Sequence, residues 1–410
     1  MRILVGTDHW SPDHRGGAAR VAAETAGLLA RHGHDVDVIA PVDPGHPPLW
    51  RDGSLVVHRV LPRSVLPQTF TDPVQTYLAA FDREADLALA HTSTTAVGLS
   101  LALPRTPVAV VFHASAAREA AFERSRTPHG RRRVLTALLE PVLRQLERSS
   151  LRRAARVLVL SEFSRSLLAE DHPGVLDRTV VVPGAVDTDA FVPGDRASAR
   201  AALGVGAETE LLVTVRRLES RMGLERLLTA VRALAADRPH LALTVVGDGS
   251  LRRPLEELRS RLGLEARIRF AGRVSDDVLA DWYRAADLFV LPTVAYEGFG
   301  LVTAEALASG IPVVGTPVGA TPELLGPLDG RLLAAGTSPD ELAAAIRRGL
   351  ELATPAFGRR CRAYAEERLS WDAAFPAWET ALGFAFDLRT GRPAVSRGAG
   401  HPTADLGSRA

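Results

Sequence analysis

The sequence predicts an α/β protein built from two parallel-sheet domains with helices on both sheet faces. Three observations carry that prediction. The chain has 410 residues, long for one hydrophobic core and natural for two. Short apolar runs rich in β-branched residues alternate with stretches of helix formers, the pattern of repeated βαβ units. One such unit can be read whole. The run Leu288-Phe289-Val290-Leu291 is ended by Pro292, a loop holds Tyr296-Glu297-Gly298-Phe299-Gly300, residues 301–309 favour a helix, and Gly310 stops it before a second apolar run at 311–315.

Taken in order, residues 2–7 read as the first strand, and a polar loop ending in Gly16-Gly17 leads to a helix with Val21, Leu28 and Leu29 on one stripe. Gly33 stops that helix, and 36–40 is the next strand. The glycine pair therefore falls at the carboxyl edge of strand one, where open α/β sheets bind ligands. Further strands are expected at 55–60, 87–90 and 108–112, with helices at 72–81 and 95–103. His113 directly follows a strand and so points into the same crevice. Residues 156–160 form another strand, Ser161 caps a helix over 162–170, and 179–182 closes a first domain of residues 1–183.

Pro183 to Gly194 reads as a linker, and the second domain covers 195–370. Its strands are 211–215, 241–246 and 268–271, followed by Arg216-Arg217-Leu218-Glu219-Ser220-Arg221-Met222-Gly223, Gly247-Asp248-Gly249 and Gly272-Arg273-Val274 respectively. A helix at 276–286 feeds the 288–315 unit, and helices at 339–352 and 359–369 complete the domain. A last helix over 371–388 is expected to return to the first domain, and 389–410 lacks apolar periodicity and reads as a disordered tail.

The loop before residue 301 has a definite chemistry. The amides of Gly300, Leu301 and Val302 have no intrahelical acceptors, and the helix dipole adds partial positive charge there. Gly298 and Gly300 let an anion approach the backbone. Glu297 and Glu305 flank this cradle without neutralising a phosphate, so each suits hydroxyl groups on either side of one. A sugar, a diphosphate and a ribose laid in line match that order.

These residues resemble the Glu-x7-Glu signature of the retaining glycosyltransferases of family 4, which have the GT-B fold, two Rossmann-like doubly wound domains facing across a cleft. The resemblance covers about residues 2–388. It implies transfer of a sugar from a nucleoside-diphosphate sugar, UDP- or GDP-linked, to a hydroxyl acceptor (a glycan, a lipid-linked molecule or a small natural product), with retention at the anomeric carbon. By the same resemblance, Glu297 contacts the donor sugar, Glu305 the ribose, and the amides of Gly298, Phe299, Gly300, Leu301 and Val302 the diphosphate. Gly16 and Gly17 would face the diphosphate across the cleft, Gly247 and Val274 would lie beside the nucleotide, and His113 would orient the reacting sugar. Arg217 matches a family arginine. Met222 stands where the family has lysine, so Arg221 is the candidate for the missing charge. Glu323 is placed to support the diphosphate-facing loop. An NDP-sugar epimerase on the same fold and a sugar-nucleotide-binding pseudo-enzyme are the alternatives.

Composition narrows the partners. A formal net charge of +1 gives no general attraction to nucleic acid. The single cysteine, Cys361, excludes a disulfide framework and reads as a small buried hydrophobe. The N-terminus reads as a strand rather than a signal peptide, and no apolar stretch approaches the roughly 20 residues of a membrane span, so a cytoplasmic protein is expected. Residues 118–156 are rich in arginine around an apolar stripe, a pattern that suits a solvated helix packed by its apolar side and equally a face for a phosphorylated acceptor or for peripheral contact with the inner membrane face. Metal independence is expected, on the reading that no Asp-x-Asp metal motif appears in the chain, and no cofactor is expected. The chain contains no lysine, so any lysine role must be absent or carried by arginine.

Overall fold

A computed structural model describes residues 1–11, 16–61, 71, 74–75, 85–126 and 131–390. Its N-terminal half forms β1 (Arg2–Gly6), β2 (Asp35–Pro41), β3 (Leu49–Asp52), β4 (Leu55–Leu61), β5 (Leu87–Ala90), β6 (Val108–Phe112), β7 (Arg156–Val159) and β8 (Thr179–Val181). These make one sheet of order β3-β4-β2-β1-β5-β6-β7-β8. Every pairing is parallel except β3 with β4. The central strands are buried end to end because helices cover both faces, which is why they read as continuous apolar runs rather than alternating ones.

The C-terminal half forms β9 (Glu210–Val215), β10 (Leu241–Val246), β11 (Ile268–Gly272), β12 (Leu288–Leu291) and β13 (Val313–Gly315), a parallel sheet of order β11-β10-β9-β12-β13. Strand order reverses beside β9 and β12, so the loops after these strands open a crevice at their carboxyl ends. The α/β class with two parallel, doubly wound sheets is thus as the alternation predicts.

Two features hold the halves together. The linker is packed: Val186 N–H donates to the Leu369 carbonyl at 2.8 Å, and the Phe191 ring lies edge-on to Tyr283 at 5.7 Å. The last helix, Trp371–Thr390, returns across the N-terminal domain. Trp378 Nε1 donates to the Pro183 carbonyl at 2.9 Å, Trp371 Nε1 donates to Glu24, and Phe375 stacks on His32. One apolar cluster therefore runs from a face of the first sheet through the linker into the second domain.

Some expectations differ in detail. Strand β3 was not expected from the pattern: its four residues are all exposed, so it has no buried face to reveal it, and it exists through backbone pairing to β4. The 118–156 region is two helices, Ala116–Arg126 and Arg131–Arg153. The helix expected at 72–81 falls almost wholly outside the described residues. The last helix reaches Thr390, two residues into the expected tail, and 391–410 lies outside the described residues.

Candidate active site

Strand β12 ends at Leu291, and the chain turns through Thr293 and Tyr296 into Glu297. Tyr296 takes a positive φ of 56°, the one non-glycine residue in that region among those described, where the loop doubles back. Glu297 is buried, and its Oε2 accepts from Arg216 Nη2 at 2.6 Å and Thr293 Oγ1 at 2.9 Å. Burial acts to raise its pKa, but the Arg216 charge, the two hydrogen bonds and the Arg221 charge outweigh that and hold it below the usual carboxylate value. Glu297 is an ionised carboxylate locked in one orientation.

Gly300 then adopts φ 90°, open to glycine at no steric cost, and starts the helix Leu301–Ala308 with no side chain capping it. The amide cradle is thus present at a bare helix start. Phe299 is buried with its ring against Gly184 of the linker, while Leu301 and Val302 are half-buried. Glu305 is buried at the far end of the cradle, accepting from Tyr283 Oη at 2.7 Å and pairing with Arg20 at 3.1 Å. Desolvation raises its pKa against the opposing pull of Arg20 and Tyr283.

The N-terminal domain closes over this loop. A Cβ built on Gly298 would come within 2.7 Å of the His113 carbonyl, so the loop passes directly beside the end of β6. The Gly298 carbonyl accepts from Ser161 Oγ at 2.6 Å and Ser164 Oγ at 3.3 Å. A Cβ on Gly17 would lie 3.4 Å from the Leu301 side chain across the cleft, while one on Gly16 would meet nothing within 4 Å. Arg20 reaches over to Glu305 and also to Asp276 at 2.9 Å. His113 shares a hydrogen bond with His91, Nε2 to Nδ1 at 3.2 Å, and desolvation pulls its pKa down to about 4, so the imidazole is neutral at neutral pH.

The remaining predicted residues separate. Gly247 follows β10 and Val274 follows β11, both at the carboxyl edge of the second sheet. Arg217 is turned outward, its side chain 57% exposed and 3.5 Å from Glu219. Arg221 is in the site, donating to the Tyr296 carbonyl at 3.0 Å, but its charge is paired with Glu119 of the N-terminal domain at 2.9 Å. Glu323 does not brace the loop. It accepts from the amides of Glu162 and Phe163 at 2.9 and 2.8 Å, capping a helix of the other domain. The Asp-x-Asp reading also needs correction, because that spacing occurs twice. Asp37 of Asp35-Val36-Asp37 is engaged by Arg2 and His58, and Asp187 of Asp187-Thr188-Asp189 accepts from the amides of Asp189 and Ala190. Sequence reasoning missed Arg216, Arg20, Tyr283, Thr293, Ser161, Ser164 and His91; only the adjacency of Arg216 to Arg217 offered a signal.

Two family models match this chain: Glycosyltransferase Family 4 over residues 15–190 and Glycosyl transferases group 1 over residues 195–368. The chain belongs to the family 4 glycosyltransferases. Curated relatives include D-inositol 3-phosphate glycosyltransferases from Geodermatophilus obscurus, 39% identical over 48% of this chain and 47% of the relative, and from Streptomyces scabiei, 36% identical over 45% and 43%. The chain thus spans about half the length of the curated relatives it matches. Sucrose-phosphate synthase from Thermosynechococcus elongatus superposes with TM-score 0.77 at 24% identity, over 95% of this chain and 99% of that one. Anabaena HepE, solved in complex with UDP-glucose, does so with TM-score 0.71 at 22% identity, over 93% and 99%. The architecture is the GT-B fold of this family.

Proposed function

We propose that the chain is a retaining glycosyltransferase, moving a sugar from a nucleoside-diphosphate sugar to a hydroxyl acceptor bound by the N-terminal domain. The observation that carries this reading is the placement of Glu297 and Glu305 at the two ends of one bare helix start, with His113 across the cleft beside Gly298. The diphosphate takes the helix amides, Glu305 takes ribose hydroxyls once Arg20 yields, and Glu297 takes sugar hydroxyls. Stabilising the departing diphosphate makes an oxocarbenium-like anomeric carbon, which the acceptor hydroxyl attacks from the face the diphosphate leaves, passing its proton to the departing phosphate oxygen. No protein carboxylate is placed as a covalent nucleophile in this scheme. Neutral His113 accepts or donates a hydrogen bond to the sugar without adding charge.

The donor panel that tests this includes UDP-glucose, bound by HepE, and the acceptor panel includes inositol 3-phosphate, named for the curated relatives. Mass spectrometry is expected to find one sugar transferred, with free nucleotide released only when acceptor is present. Release of an isomerised sugar nucleotide without acceptor is the epimerase outcome and overturns the transferase reading. Glu297→Ala is expected to lower turnover by at least about a thousandfold; near wild-type turnover removes Glu297 from the site. Excess EDTA is expected to leave the rate unchanged.

A cytoplasmic enzyme working at the membrane face is a second part of this reading. It is supported by Val134, Leu138, Leu139 and Val142, which are 46–68% exposed on the helix Arg131–Arg153, with exposed Arg144, Arg148 and Arg152 beyond them. No helix among the described residues is long and apolar enough to cross a membrane.

A further inference from the structure

Three guanidinium groups lie close to the cradle, and two of them are committed. Arg20 is shared between Glu305 and Asp276. Arg221 is paired with Glu119 and bonded to the Tyr296 carbonyl. Arg216 differs. It follows β9 at the carboxyl edge of the sheet and its side chain is only 6% exposed. All three of its hydrogen bonds leave from one nitrogen: Nη2 meets Glu297 at 2.6 Å, Thr293 at 2.8 Å and the Met222 sulfur at 2.8 Å. Its Nε, like that of Arg221, is buried with no partner, but its Nη1, unlike that of Arg221, makes no hydrogen bond among the described residues.

Half of this guanidinium is therefore unused. A guanidinium N–H without an acceptor is costly when buried, and one that meets a phosphate oxygen makes a charge-assisted hydrogen bond. The same Nη2 that meets Glu297 also meets the Met222 sulfur, so the charge already occupies the surroundings of that residue. Met222 is buried and brings no charge of its own.

We propose that Arg216 is the buried cation of the donor site, fixing the ionised Glu297 through Nη2 and offering its free Nη1 to a diphosphate oxygen of the sugar nucleotide. It thereby fills the gap left by Met222, and the exposed Arg217 and paired Arg221 are secondary. This rests on the glycosyltransferase reading above and assigns one ligand contact within it.

The test compares diphosphate with nucleoside. Isothermal titration of the full chain with UDP and uridine, and with GDP and guanosine, is expected to find one base that binds. Arg216→Gln is expected to weaken the diphosphate by at least about tenfold and the bare nucleoside by less than about twofold. Adding Met222→Lys to Arg216→Gln is expected to restore most of the lost affinity, because the cation then comes from the neighbouring side chain. Equal loss for nucleotide and nucleoside, no loss for either, or no recovery in the folded double variant each overturns the assignment. If circular dichroism shows Arg216→Gln unfolded, Arg216→Lys carries the same comparison: it keeps the charge and is expected to hold the diphosphate within about tenfold, and parallel loss of both ligands overturns the proposal. Wild-type protein that binds neither UDP nor GDP overturns the donor reading itself, a result distinct from failure of the Arg216 variants.

Discussion

At Gly298 the two domains pass close together, and its missing side chain is what allows it. The atom a Cβ would meet, 2.7 Å away, is the backbone carbonyl of His113, which cannot swing aside as a side-chain tip does. Gly298→Ala must therefore push the loop from the end of β6, stretching the bonds from Ser161 and Ser164 to the Gly298 carbonyl. Overpacking of this kind costs about 1–3 kcal/mol. The expected result is a turnover at least about tenfold lower with nucleotide affinity little changed, since Glu305 and the helix amides are untouched. Calorimetric melting and steady-state rates check it; an alanine variant with wild-type turnover shows that the contact is not needed. The sequence made Glu297, Glu305, His113 and the cradle glycines legible because they form local strings. Arg216 was not legible, because its partner Glu297 lies 81 residues away and neighbouring Arg217 carries the matching pattern.

At the scale of elements, what could be read depended on burial. Strands covered on both faces, such as β5, β6 and β12, announce themselves as apolar runs. Strand β3, exposed throughout, does not. The helix Arg131–Arg153 shows the opposite case: its apolar residues at 134, 138 and 142 fall one turn apart, as in a packed helix, yet they face outward. That exposure is what gives the membrane reading its weight, since spacing alone equally suits a helix buried against the domain. Leu138→Glu with Val142→Glu places two charges on the exposed stripe without disturbing the core. Sedimentation with phosphatidylglycerol vesicles is expected to pull down the wild-type chain and at least about tenfold less of the double variant, with neutral phosphatidylcholine vesicles binding neither. Equal binding of both proteins to anionic vesicles removes the stripe from the contact.

At the scale of the whole molecule, the last helix straps the two domains together, and one anchor of that strap titrates. Glu24, on the first helix, accepts from Trp371 Nε1. Desolvation pushes its pKa up to about 8, against the opposing effects of Trp371 and Arg20 and with help from Glu305 and Asp187. A carboxyl with a raised folded-state pKa binds its proton more tightly folded than unfolded. Its contribution is complete below about pH 4.5 and is lost as pH climbs toward 8. His113, with its pKa lowered to about 4, works in the other direction: its contribution grows as pH rises from 4 to the ordinary histidine value near 6.5. The two slopes oppose each other up to about pH 6.5, above which only the Glu24 slope remains. Stability is expected to fall between pH 6.5 and 8 by on the order of 1 kcal/mol, and Glu24→Gln, which keeps an acceptor for Trp371 but no ionisable proton, is expected to abolish that fall. Urea midpoints measured at these pH values decide it. If the glutamine variant loses stability over this window as steeply as the wild type, another group governs the strap.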